Sequence, residues 1–271
     1  MLTVVKCGGN DAIDADRVAA DVAALRATGE RVLVAHGGAA DIARLAGQLR
    51  VPQRRLRSPD GMTSRHTDPA MLDVVTLALA GRAKPRLLAA LRRAGVPAVG
   101  LTGLDGGLLR AERKAARRAV DDDGRVRVVR DDHSGRIVGC DPTAPRALLA
   151  AGFTPVVSPP AADAGGAPLN VDADRAAAAI AAALTADRLV LLTAAPGLLR
   201  EATDPDSLLP RYAVPLAAPR HAATDGMHRK LIAAREALHG GVPLVRIADG
   251  RTAHPLADAL AGAGTRITLE P

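Results

Sequence analysis

Short apolar runs alternate with amphipathic segments along almost the whole chain, and this alternation limits the fold more than any other feature. Leu2–Val5, Arg31–Ala35, Pro97–Leu101, Thr154–Ser158, Leu189–Thr193 and Pro243–Ala248 each read as a buried strand. Between them Asp14–Thr28 places Val18, Val22 and Leu25 at helical spacing, with Gly29 as a stop. Ala39–Leu49, Pro142–Ala151, Asp174–Leu184 and Gly226–Leu238 read as further helices. Residues 69–94 carry one or two helices with a break at Pro85, and a last helix and strand close the chain. Strands alternating with crossover helices predict an α/β fold, a mainly parallel open sheet sandwiched by helices in three layers. From Gly106 to Gly139 the pattern changes. Arg125–Arg130 alternates and Asp131–Gly135 has turn composition, so hairpins are expected there. Pro159–Pro168 (PPAADAGGAP) is the best place for a seam within a single domain of 271 residues, between lobes of about 1–165 and 166–271. The proline-rich Ala195–Pro219 is expected to cover one edge.

Several classes of function are excluded early. The hydrophobic fraction of 48% is too high for a disordered chain. No run approaches the ~20 apolar residues of a membrane-crossing helix. The start, MLTVVKCGG, lacks the basic and apolar regions of a secretory signal. Cys7 and Cys140 are too few for a disulfide scaffold or a four-thiolate zinc site, so a reducing cytoplasm is expected and no metal site of its own. Lys and Arg number 36 against 29 acidic residues, a net charge of +7. Single-strand binders usually stack bases on aromatic rings, and Phe153 and Tyr212 are the whole aromatic set here. The positive balance therefore points to an acidic substrate or acidic protein partner rather than to nucleic acid.

Ligands of such sheets bind beyond the carboxyl ends of the strands. Three glycine turns sit there: Lys6-Cys7-Gly8-Gly9, His36-Gly37-Gly38 and Thr102-Gly103-Leu104-Asp105-Gly106-Gly107. One Gly-Gly pair is only a tight turn. Two of them at the first two strand ends, one beside a lysine, favour phosphate, because glycine lets backbone N–H groups approach an anion. No G-x-x-x-x-G-K-[ST], no G-x-G-x-x-G after the first strand and no G-x-S-x-G occurs. Asn170-Val171-Asp172-Ala173-Asp174 precedes an alanine-rich helix. Capping would use one of its polar side chains, leaving others for a site. Lys230 in Gly226-Met227-His228-Arg229-Lys230 lies early in a helix, against the dipole, which hints at an anion. Arg65 precedes a capping Thr or Asp and has the fork that binds carboxylates.

Taken in order, Lys6-x-Gly8-Gly9, His36-Gly37-Gly38, Arg65-x-Thr67-Asp68, Gly100-Leu101-Thr102-Gly103-x-Asp105-Gly106, Asn170-x-Asp172-x-Asp174 and Gly226-Met227-x-x-Lys230 resemble the amino acid kinase family, in its acetylglutamate kinase branch, from residue 2 to about 267. Ser58–Asp68 (SPDGMTSRHTD) looks most like the LysZ-type kinases that act on aminoadipate or glutamate bound to a small acidic amino-group carrier protein, LysW or a relative. The stretch from Ala248-Asp249-Gly250-Arg251 through His254-Pro255 to Gly264-Thr265 is similar as well.

The resemblance implies the carbamate kinase-like fold, a homodimer, and MgATP as phosphoryl donor to a side-chain carboxylate, yielding an acyl phosphate. The acceptor lobe would be the first and the ATP lobe the second. By position, the resemblance gives Lys6 and Lys230 the transferring phosphoryl group, with Asp174 holding both lysines. Gly8, Gly9, Gly37 and Gly38 would donate N–H groups to phosphates and to the reacting carboxylate. Arg65 and Asn170 would bind the acceptor, and Thr193, Gly197 and Leu198 match the nucleotide stretch. Two positions depart from the family: Ala194 replaces its usual Asp or Asn, and Ala83 its usual Asn. Arg50, Arg54, Arg55 and Arg57 near Arg65, and a second cluster of Arg110, Arg113, Lys114, Arg117 and Arg118, would then meet an acidic carrier. N-acetylglutamate kinase activity is the nearest rival reading, followed by a nucleotide-binding regulator without turnover and a basic RNA-binding domain.

Overall fold

The computed structural model describes residues 1–271 apart from 10, 59–60, 114–115, 121–124, 216–224 and 271. Strand β1 (Leu2–Cys7) is buried along its whole length and leads to helix α1 (Ala15–Ala27). Asp14 caps α1 by accepting from the N–H groups of Asp16 and Arg17. β2 (Arg31–His36) pairs parallel to β1 and runs into α2 (Ala39–Gln48). β3 (Arg55–Arg57) and β4 (Thr63–Arg65) form a hairpin. α3 (Pro69–Ala78), a π-helical turn at Leu79–Ala83 and α4 (Lys84–Arg93) follow without a loop. The break expected at Pro85 is thus a change of helical pitch. A wider turn admits a residue that has no N–H to donate without ending the helix.

β5 (Ala98–Thr102) precedes four strands: β6 (Leu109–Arg113), β7 (Arg117–Val120), β8 (Val126–Val129) and β9 (Gly135–Cys140). Then come α5 (Thr143–Ala150), β10 (Thr154–Ser158), β11 (Ala161–Ala162), β12 (Pro168–Leu169), α6 (Ala173–Ala183) and β13 (Arg188–Thr193). β14 (Arg211–Val214), α7 (Asp225–His239), β15 (Leu244–Asp249), α8 (Pro255–Ala261) and β16 (Thr265–Leu269) complete the chain.

Eight strands form the main sheet in the order β14-β16-β15-β13-β1-β2-β10-β5, parallel from β15 to β5, with β16 antiparallel to β15. Val18, Val22, Leu87, Leu91 and Leu256 pack α1, α4 and α8 on one face. Leu149, Ile180, Leu231 and Ala234 pack α5, α6 and α7 on the other, which gives the three layers.

Two small sheets lie beside this core, β12-β11-β6-β9 and β4-β3-β7-β8. The hairpins expected over 106–139 are therefore nested rather than sequential: β6 pairs with β9, and β7 with both β8 and β3. Asp131–Gly135 is accordingly a crossing between two sheets and not a hairpin turn. Asp132 within it is fully buried and accepts from the Thr67 N–H at 2.9 Å. The second basic cluster divides for the same reason. Arg110 and Arg113 lie on β6, whereas Arg117 and Arg118 lie on β7, in the sheet of Arg55, Arg57 and Arg65; Lys114 is outside the described residues. Pro159–Pro168 is not a linker, because β11 and β12 pair antiparallel within it. The main sheet also crosses from β2 through β1 to β13 without a seam. Ala195–Pro219 supplies edge strand β14, and residues 216–219 fall outside the described residues.

Candidate active site

A lysine inside a strand buried on both faces requires a partner, since isolated buried charge is costly. Lys6, next to last in β1 and 5% exposed, finds one in Asp174. Its Nζ lies 2.6 Å from Asp174 Oδ1, while the other oxygen, Oδ2, accepts from Lys230 Nζ at 3.0 Å. Asp174 is the second residue of α6 and Lys230 the sixth of α7, so three elements distant in sequence converge on one carboxylate. Burial alone would lower the Lys6 pKa, but the charge and hydrogen bond of Asp174 outweigh it and hold the ammonium above its ordinary value. The Lys230 pKa is lowered by burial, and by the like charge of Lys6, against the pull of Asp174. Burial works against ionised Asp174, yet the two lysines carry its pKa down to about 2.

The segment 170–174 divides its labour. Asp172 is the N-cap of α6, its Oδ1 accepting from the Asp174 and Arg175 N–H groups at 2.9 and 3.0 Å. Asn170 Nδ2 donates to Thr67 Oγ1 at 3.0 Å. Asp172 Oδ2 faces Arg229 Nε at 3.7 Å, and burial together with Asp174 raises its pKa.

The two glycine turns interlock above this cluster. A Cβ on Gly9 would stand 2.5 Å from the Gly38 nitrogen and 2.7 Å from that of Ala39, so no side chain fits. The Gly9 carbonyl accepts from Ala40 N–H at 2.9 Å. Gly38 is the N-cap of α2 and supplies no side-chain cap, so apart from the Ala40 N–H the first amides of that helix have no side-chain partner among the described residues to keep them from an anion. His36 Nδ1 donates to the Gly37 carbonyl at 2.9 Å, and burial lowers its pKa to about 4, so the ring braces the turn as a neutral group.

Lys6, Asp174, Gly38, Arg65, Asn170 and Arg229 line one cleft of about 440 Å³, together with Gly9 and Gly37. Gly8 lines a smaller neighbouring cavity of about 240 Å³ on the far side of the glycine turns. Thr193, Gly197 and Leu198 do not line the cleft. The Thr193 carbonyl accepts from Gly250 N–H at 2.7 Å, and Leu198 is buried with its N–H given to Thr265 Oγ1 at 2.8 Å. Gly197 packs so closely on Leu208 and Thr265 that a Cβ would come within 2.7 Å of each.

Arg55 and Arg229 had been visible in the sequence only as members of basic runs. The structure adds both to the cleft wall. Arg55 lies directly across the β3–β4 ladder from Arg65. Like charges placed opposite each other cost stability, and neither guanidinium meets a carboxylate among the described residues. Burial, with Arg55 adding to it, lowers the Arg65 pKa.

This geometry fits a phosphoryl-transfer class: paired ammoniums on a shared carboxylate, interlocked glycine turns and an arginine-bearing cleft wall. The chain belongs to the amino acid kinase family, which matches residues 1–249, and it is a phosphotransferase. It is 41% identical over 98% of its length to a [LysW]-aminoadipate kinase of Deinococcus radiodurans, of which it covers 91%. It is also 42% identical over 93% of its length to an acetylglutamate kinase of Kineococcus radiotolerans, of which it covers 84%. Its fold superposes on carbamate kinase from Giardia with a TM-score of 0.66 at 18% identity, covering 98% of each chain.

Proposed function

We propose that the protein transfers the γ-phosphoryl group of MgATP to the side-chain carboxylate of aminoadipate, or glutamate, carried on the C-terminus of a small acidic LysW-like protein. The observation that carries this reading is the Arg55–Arg65 pair, without a carboxylate partner among the described residues, on the wall of a cleft that ends at Lys6 and Asp174, with Lys230 behind it on the same carboxylate. A carboxylate oxygen attacks the γ-phosphorus in line. The new P–O bond forms as the bond to the β-phosphate oxygen breaks, giving an acyl phosphate and ADP. The acceptor is already ionised near neutral pH, so no general base is needed.

Repulsion between two anions is the obstacle. Lys6 and Lys230 answer it from positions fixed by Asp174 before substrate arrives. Arg65 and Asn170 hold the acceptor, and the amides of Gly8, Gly9, Gly37 and Gly38 cradle phosphates and the reacting carboxylate. The nucleotide lies over the residues 166–271 lobe beside Thr193, with Gly197 and Leu198 supporting that lobe's edge from behind. Residues 1–165 form the acceptor lobe. Mg²⁺ enters as part of the nucleotide substrate.

The four-stranded sheet β4-β3-β7-β8 suits the carrier. It sets exposed Arg57, Arg118 and Arg127 near Val126 and Val128, which are 57% and 52% exposed. Charge there would steer an acidic partner and the valines would anchor it. A homodimer in the cytoplasm completes the reading. Acetylglutamate kinase activity is the alternative, favoured by the comparable identity to that relative. Assaying both acceptors decides between them. Carrier-bound aminoadipate is expected to be phosphorylated efficiently and N-acetylglutamate poorly, and the reverse order would overturn the proposal.

A further inference from the structure

Helix α7 delivers Lys230 to Asp174, and its first turns also reach the acceptor wall. Strand β4 is the edge of its sheet, where backbone groups normally face water or invite a foreign strand. Both backbone groups of Thr63 on that edge are instead taken by α7. The Thr63 N–H donates to Asp225 Oδ2 at 3.2 Å, and its carbonyl accepts from Arg229 Nη1 at 3.1 Å. The next two residues of β4, Ser64 and Arg65, line the cleft. Arg229 continues inward to Asp172 at 3.7 Å and is followed directly by Lys230. Two consecutive cations of α7 therefore meet the two acidic residues of the α6 N-terminus, Arg229 with Asp172 and Lys230 with Asp174.

We infer that Asp225 and Arg229 are positioning residues that latch the β3–β4 hairpin to helix α7, so that seating an acceptor on Arg65 and placing Lys230 on the transferring phosphoryl group are one structural event. The inference rests on the transfer reading above. Arg229 needs no contact with the reacting atoms, because it acts through Thr63 and Asp172. A planar guanidinium can serve a carbonyl with one nitrogen and a carboxylate with another, which a lysine ammonium cannot do in the same geometry. Uncoupling the hairpin leaves Arg65 and Lys230 each in place but no longer in register, and small misplacements of reacting groups cost rate.

The test uses the full chain with MgATP and a LysW-type carrier bearing aminoadipate, with N-acetylglutamate as a second acceptor. Arg229→Met and Asp225→Ala are expected to lower kcat and raise the acceptor KM, together by roughly tenfold or more in kcat/KM, with the KM for ATP within about twofold. Arg229→Lys should recover little. The double variant should lose little more than Arg229→Met alone, since the two side chains grip the same residue. Asp225→Ala removes a single part-buried contact to the strand edge and serves if Arg229→Met folds poorly, which thermal melting would reveal.

The latch is overturned if both single variants keep kcat and acceptor KM while Lys230→Ala is inactive. It is overturned equally if the loss appears in the ATP KM alone. Full turnover by Lys6→Ala and Lys230→Ala would instead bring down the transfer reading itself, an outcome separate from failure of the latch.

Discussion

At the residue scale, buried charges set the behaviour. Lys6→Ala and Lys230→Ala are each expected to lower kcat on the order of 10²–10³-fold in a steady-state assay, as loss of one preformed transition-state donor does. Asp174 titrates far below an ordinary carboxylate. Its ionised form therefore contributes stability that is present above the usual pKa of 3.8 and is lost as pH falls through about 2. Lys84 is the contrasting case. It is 6% exposed, makes no ion pair or hydrogen bond among the described residues, and burial lowers its pKa to about 8 against the pull of Asp105. Below that pH the folded protein carries the cost of a buried ammonium. Stability from this group rises between pH 8 and 10.5, where only the unfolded chain stays charged. Lys84→Met is expected to stabilise the protein at pH 7 by on the order of 2 kcal/mol and to flatten that rise, as read by denaturant melts across the range.

At the scale of elements, the β3–β4 hairpin sets Arg55 across from Arg65, a cost in stability that the proposed acceptor wall would explain. Arg55→Gln removes a like-charge cross-strand pair and is expected to raise stability by about 0.5 kcal/mol while raising the carrier KM several-fold. An unchanged KM in a titration of carrier would show that the pair has another purpose. Helix caps behave differently. Asp14→Ala should cost about 1 kcal/mol and leave kcat alone, because α1 lends the cleft no side chain. Most elements were legible before the structure. The hairpin register was not, because Arg55, Leu56 and Arg57 make a strand of only three residues whose partners lie both nearby and some sixty residues downstream.

On the scale of the whole molecule, the excess of basic residues acts through distance. The net charge of +7 and the arginine sheet predict that KM for carrier-bound acceptor rises steeply with salt, whereas KM for N-acetylglutamate rises little. Equal salt dependence for the two acceptors would remove the docking role of that sheet. The continuous main sheet has its own consequence. Because β1 pairs with β2 on one side and β13 on the other, residues 1–165 and 166–271 share one ladder and are expected to melt in one calorimetric transition.

By itself the sequence determined the alternation that forces a three-layer parallel sheet, and it marked Lys6 beside a glycine turn and Lys230 against a helix dipole, whereas Asp174 took its place between them only through the family resemblance. Those signals are local: apolar period, glycine turns and a cation set against a helix dipole. Only the tertiary structure decided that Asp174 splits its two oxygens between the lysines, that Arg55 faces Arg65, and that Thr63 is gripped by α7. Each of these contacts joins segments whose proximity depends on how β1, α6, α7 and a three-residue hairpin pack, and no periodicity within one segment encodes such a distance.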